Sequence, residues 1–241
     1  MAKHRWKTPA AARGPEPAAP RPVTHVPPAR LRTFPDGGGV FDDFGFVRGY
    51  YVGEGPRTGL LDYVERKLCP VPDTAGSHRH TAPKIDLLLP PRASSDYMAI
   101  EHLVRMYELA LPGWEASAFA QITLRFPHAA NFHVPWELAR GFAHAVLVGA
   151  REVPVIAILH TPSVSGSPNP PHVHLIALPR RLGQFGFAEF DRELPTDIGN
   201  RAMHAAWQHY REAQDSRPCP SDLPAAVPRR PSSGSLAHRA R

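Results

Sequence analysis

Two histidines one residue apart, His172-Val173-His174, open the apolar run Leu175-Ile176-Ala177-Leu178, and a third, His160, closes the preceding run Val155-Ile156-Ala157-Ile158-Leu159. In a strand, successive side chains point to opposite faces, so His172 and His174 project together while Val173 turns into a core. If the Pro, Ser and Gly residues between Thr161 and Pro171 let the chain double back, His160 lies beside the pair and three imidazole nitrogens converge. A cation held by three neutral imidazoles keeps positions open for a substrate, which catalysis requires and a closed structural site forbids. Such an all-nitrogen set intrinsically favours later metals such as zinc or copper.

The chain has 14 histidines, so most must be ordinary surface residues. Another His-x-His, His78-Arg79-His80, lies in a polar stretch and is expected to be one of these. The two cysteines, Cys69 and Cys219, are far apart and without a Cys-x-x-Cys pair, which argues against a disulfide framework or a thiolate zinc site. A cupin-like barrel with a His-x-His centre wants many short strands and an acidic ligand soon after the pair. Leu175 to Pro179 contains no acid, and the helical patterns here are strong.

The elements that must position these residues can be read from periodicity. Phe44 to Val52 reads as a first strand, Thr58 to Leu68 as a short helix, and Ile85 to Leu89 as a second strand closed by Pro90-Pro91. Ser94-Ser95-Asp96 caps a helix whose apolar positions Ile100, Leu103, Val104, Tyr107 and Leu111 keep helical spacing. Strand three spans about Phe119 to Phe126, a helix runs from Pro135 to Gly149, the histidine strands are four and five, and a final helix covers Thr196 to Gln214. The expectation is an α+β fold of two layers, with helices covering one face of a central, mostly antiparallel five-stranded sheet.

Composition bounds the rest. The 241 residues carry a net charge of +6, yet Lys3, Arg5, Lys7, Arg13, Arg21, Arg30 and Arg32 crowd into residues 1–34, and Arg217, Arg229, Arg230, Arg239 and Arg241 into residues 216–241. Both ends are Pro-rich and read as disordered basic tails, leaving residues 35–215 as a net-acidic folded domain. Any non-specific attraction to a polyanion would then come largely from the tails. No apolar run is long enough to cross a membrane, and the N-terminus is too Pro-rich for a signal peptide, so a cytoplasmic location is expected.

Several motifs occur in an order that resembles the MobA/MobL relaxases of plasmid mobilisation, within the wider His-hydrophobe-His endonucleases. Leu87-Leu88-Leu89-Pro90 is similar to that family's apolar strand ending in Leu-Pro, and Pro135-Trp136-Glu137-Leu138 to its Pro-x-Glu-Leu helix start. Ile158-Leu159-His160 and Asn169-Pro170-Pro171-His172-Val173-His174-Leu175 resemble its metal-ligand strands, and the Trp207 helix also has a counterpart. The likeness runs over residues 44 to 214. It departs from the family pattern at Val64, where an arginine is usual, and at the extra Pro171.

The resemblance implies cleavage of one DNA strand at an origin of transfer, with a tyrosine forming a phosphotyrosyl-DNA intermediate. It also implies a divalent cation, manganese or magnesium, on His160, His172 and His174, and single-stranded DNA and plasmid mobilisation accessory proteins as partners. The family's tyrosine lies in or near the helix after the first strand, which points to Tyr63, with Tyr50, Tyr51 and Tyr210 as alternatives. A non-catalytic DNA-binding or accessory module of the same fold is the other functional expectation.

Overall fold

A computed structural model describes residues 27–35, 43–71, 80–165 and 169–216. The five expected strands all form: β2 (Phe44–Val52), β4 (Lys84–Leu88), β5 (Ser117–Arg125), β6 (Val155–His160) and β7 (His172–Ala177), counting β1 (Ala29–Pro35) and β3 (Arg57–Thr58) in chain order. They belong to a seven-stranded sheet, not a five-stranded one, in the order β3-β1-β2-β5-β7-β6-β4. Every pairing is antiparallel except the short β1/β3 contact. A separate hairpin, β8 (Arg180–Gly183) with β9 (Gly186–Phe190), follows β7.

β1 corrects the expected boundary of the N-terminal tail at residue 34. Its arginines and flanking prolines mimic a tail composition, but Ala29 is buried, Leu31 packs on the core, and the backbone ladder to β2 is indifferent to side-chain charge. The expected tails otherwise fall largely outside the described residues, as do His78 and Arg79. His80 is exposed.

Helices pack on both faces of the sheet, correcting the two-layer expectation. α1 (Leu60–Leu68) and α2 (Ile100–Ala110) cover one face, burying Leu60, Tyr63, Val64, Leu68, Leu103, Val104 and Tyr107 against Phe119, Ile156, Ile158 and Ile176. α3 (His133–Phe142), which continues as a π-helical stretch over Ala143–Gly149, covers the other face. The short α4 (Pro162–Ser165) and the long α5 (Asp197–Asp215) complete the order, and α5 joins α3 on that second face. There Trp136, Phe142, Met203 and Trp207 bury Ile122, Leu124, Leu159, Val173 and Leu175. Helical periodicity marks which residues are apolar but not which side of a sheet receives them, so the second layer was not legible. No described helix is long and apolar enough to cross a membrane.

Because β5, β7 and β6 sit in the middle of the sheet, both alternating sets of their side chains are covered. Register then fixes who stands beside whom. His160, His172 and Arg125 form one row across β6, β7 and β5; Ile158, His174 and Thr123 form the next; Ile156, Ile176 and Gln121 the third. All three rows face α1 and α2.

Candidate metal centre

The strand reversal predicted between His160 and His172 is present, and the antiparallel register sets the two directly opposite each other. Ring centroids are 5.2 Å apart for His160 and His172, 4.8 Å for His160 and His174, and 4.7 Å for His172 and His174. One nitrogen from each ring lies within 4.8 Å of the others, and no second group of His, Cys, Asp or Glu comes together this way among the described residues. Tetrahedral ligands of one ion at metal–nitrogen distances of ~2.0–2.1 Å stand roughly 3.3 Å apart, within reach of small ring rotations from here.

The protein uses one nitrogen of each ring and leaves the other. His160 Nε2–H donates to the Lys67 carbonyl oxygen at 2.6 Å, freeing Nδ1. His172 Nδ1–H donates to the Pro170 carbonyl oxygen at 2.7 Å, freeing Nε2. His174 Nδ1 lies 3.0 Å from Thr123 Oγ1, and donation to that hydroxyl frees Nε2. Outer hydrogen bonds of this kind fix the tautomer and aim the ring, as metal-ligating imidazoles require. Burial lowers the pKa of His160 and His172 and pushes His174 well down, so all three favour the neutral form that binds metal. The chemistry of the donor set therefore fits one divalent cation.

Among the described residues the charges acting on the triad are of one sign. Lys67 acts on all three rings and Arg125 on His172 and His174, each disfavouring their protonation, and no carboxylate of the described residues acts on any of them. Lys67 is itself lowered, by burial first and then by Arg66.

Tyr63 joins the centre through a buried chain. Its hydroxyl donates to Gln121 Oε1 at 2.7 Å, Gln121 Nε2 donates to Thr123 Oγ1 at 3.2 Å, and Thr123 meets His174. The ring stacks on Phe119 with centroids 4.5 Å apart, while Arg66 and Lys67 approach its face at 5.9 and 5.7 Å. Phe119 can lie there because Gly49 opposite it has no side chain; a Cβ would meet the ring at 2.2 Å. Burial holds the Tyr63 phenol up at about 12, with Arg66 opposing the rise.

The other tyrosines point elsewhere. Tyr50 donates to the Pro195 carbonyl oxygen, and Tyr51 donates to Glu108 Oε1, where burial and Glu108 raise its pKa. Tyr210 packs on Phe142 in the α3/α5 core, on the opposite face from the triad. Gln121, Thr123, Arg125 and Lys67 were not singled out from sequence. The signal was available: polar Gln121, Thr123 and Arg125 alternate with apolar Ile122 and Leu124, and Lys67 is one helical turn beyond Tyr63.

No family model and no curated protein matches the chain. A solved structure described as the molecular basis of vancomycin resistance transfer in Staphylococcus aureus is similar at 18% identity. It covers 56% of this chain and 72% of its own, with a TM-score of 0.43, too shallow a likeness to bear on function.

Proposed function

We propose that the chain is a metal-dependent DNA strand transferase of the relaxase kind, which cuts one strand at an origin of transfer using Tyr63. The observation that carries this reading is the pairing of three imidazoles, each with a free nitrogen, with the cationic groups Lys67 and Arg125 that act on them among the described residues. A centre of that kind favours an anion, and no described carboxylate joins it as the base a metal-assisted hydrolase would use. A phosphodiester fits, and the motif resemblance supplies DNA as its source.

His160 would hold the cation through Nδ1, and His172 and His174 through Nε2. Manganese or magnesium is the expectation from the resemblance, whereas the all-imidazole donor set itself favours zinc. When bound, the ion would supply charge to a phosphate oxygen and so offset the negative charge that builds during attack. Tyr63 supplies the nucleophile: a bond from phenol oxygen to phosphorus forms as one bond from phosphorus to sugar oxygen breaks, and the proton given up by the phenol is balanced by the one the departing sugar oxygen takes up. The bond count is conserved, and the strand can be rejoined without a nucleotide cofactor. The Tyr63 hydroxyl must leave Gln121 to react, and Arg66 at its ring opposes the rise that burial imposes on the phenol. Single-stranded DNA, mobilisation accessory proteins and a cytoplasmic site of action belong to the same reading.

The test is a covalent adduct. With metal and single-stranded DNA from the gene's own neighbourhood, wild type should form a product that survives denaturation. Tyr63→Phe should abolish it while keeping the metal response. An adduct that persists in Tyr63→Phe and vanishes in a Tyr50, Tyr51 or Tyr210 variant would move the nucleophile. A non-catalytic DNA-binding module is the second reading, favoured by a Tyr63 that is only 8% exposed with its hydroxyl engaged. DNA binding without any adduct supports it.

A further inference from the structure

Arg125 ends β5 on the same face as the triad, directly across from His172. Its guanidinium lies over Gly45 of β2: a Cβ there would stand 2.8 Å from Nη2 and 3.1 Å from Nη1. The missing side chain at Gly45 is thus the seat of the arginine head. Nη1 is buried and has no hydrogen-bond partner. The nearby carboxylate, Asp43, bonds instead to Arg211. A desolvated guanidinium N–H without a hydrogen-bond partner is costly, and among the described residues no carboxylate pairs with it; an oxyanion is the ligand that relieves it. Arg125, which acts electrostatically on His172 and His174, also lines a cleft of about 610 Å³ with Phe126, Val134, Pro135, Leu138 and Arg211.

We propose that Arg125, seated on Gly45 beside His172, is an oxyanion-binding residue that holds the phosphate presented to the triad. The planar fork suits two phosphate oxygens at once, a geometry that a lysine cannot reproduce. The identity of the anion as a DNA phosphodiester rests on the strand-transferase reading; the anion site itself does not. Arg125 is distinct in role from the histidines, because it would bind substrate without touching the metal.

The experiment compares wild type, Arg125→Gln, Arg125→Lys and Gly45→Ala as full chains. Inorganic phosphate and pyrophosphate are titrated into metal-free protein, following the unfolding midpoint, and a single-stranded oligonucleotide is titrated across a salt series by fluorescence anisotropy. Wild type should be stabilised by the anions, Arg125→Gln should bind them roughly tenfold more weakly or worse, and Arg125→Lys should fall between. Gly45→Ala keeps the arginine but intrudes on its head, so it should weaken anion binding as well, and it decides the matter if Arg125→Gln does not fold. For the oligonucleotide, the log-log salt slope should drop by roughly 0.7 in Arg125→Gln, one phosphate contact. The manganese response should be unchanged in all variants.

Equal anion and oligonucleotide binding by Arg125→Gln and wild type would overturn the proposal, as would a wild type that phosphate does not stabilise. Loss of the manganese response in Arg125→Gln would also overturn it, by making Arg125 a support for the triad. Anion binding that depends on Arg125, with no oligonucleotide binding and no adduct, supports the oxyanion site and sinks the strand-transferase reading.

Discussion

The two faces of the central sheet are built from the same strands yet serve different ends. On the α3/α5 face, Ile122, Leu124, Leu159, Val173 and Leu175 continue one apolar core to the ends of the strands. On the α1/α2 face the apolar rows stop at Ile156, Ile158 and Ile176, and the polar set of Gln121, Thr123, Arg125, His160, His172 and His174 takes over. Both faces carry an apolar core, but the chemistry lies on one of them, one residue away from the other along every strand. A strand permits this because a single-residue step changes the face completely. The division has a consequence: substitutions on the first face should cost folding and leave ligand responses alone, and those in the polar set of the second should change ligand responses at a smaller cost to folding.

Trp207→Ala tests the first half and should have the largest effect. Trp207 is fully buried between Phe126 and Phe142, with ring centroids at 6.1 and 5.3 Å, and its removal should cost ~3–5 kcal/mol of unfolding free energy. Denaturant titration measures it, and the fraction that remains folded should still respond to manganese. A small cost would show that the two faces are not energetically distinct.

The triad should behave in the opposite way. In wild type, a metal present at a hundred times its dissociation constant should stabilise the fold by about 2.7 kcal/mol. His172→Ala/His174→Ala should erase that response, read as the shift in unfolding midpoint on adding manganese or zinc. An equal response in both proteins would remove the metal site.

How much of this was legible follows from the same alternation. The triad could be read because His172 and His174 bracket a single apolar residue and His160 ends an apolar run, which fixes their face before any fold is known. Tyr63 could be placed on the inner side of α1 from its spacing with Leu60, Val64 and Leu68, but its link to Gln121 could not, because that depends on which strand lies under the helix. β1 was hidden by composition. For Arg125 the alternation with Gln121 and Thr123 gives its face, but only the register sets it beside His172 and only Gly45 makes room for its head.

The Tyr63–Gln121–Thr123 chain offers a finer test of whether the polar set is a connected unit. Gln121→Leu leaves the Tyr63 hydroxyl and Thr123 without their partner in a buried setting and should cost about 1–3 kcal/mol. Adding Tyr63→Phe to Gln121→Leu should recover part of that loss, because the phenol no longer needs an acceptor. A double-mutant cycle in denaturant reads the coupling, and additive costs would mean the chain is not a unit.

The smallest effect expected is in the pH dependence of the metal-free protein. Burial depresses the pKa of all three triad histidines below the ordinary value of 6.5. Below that value the unfolded chain takes up protons that the folded triad resists, so the unfolded state gains relative stability. The stability associated with neutral histidines is therefore fully present above about pH 6.5 and declines as the pH falls toward the depressed folded values. Lys67 and Arg125 deepen the effect, since each adds to the cost of a charged imidazole. Glu108 works the other way, its pKa raised by burial, but it lies with Tyr51 and Leu60 away from the triad and is common to every variant. The difference between wild type and His172→Ala/His174→Ala, followed by denaturant titration across acid and neutral pH, therefore isolates the histidines. Wild type should lose stability faster than the variant as the pH drops through about 6.5. Parallel curves would mean that the triad protonates as freely folded as unfolded, and the polar end of this face would then be open to solvent.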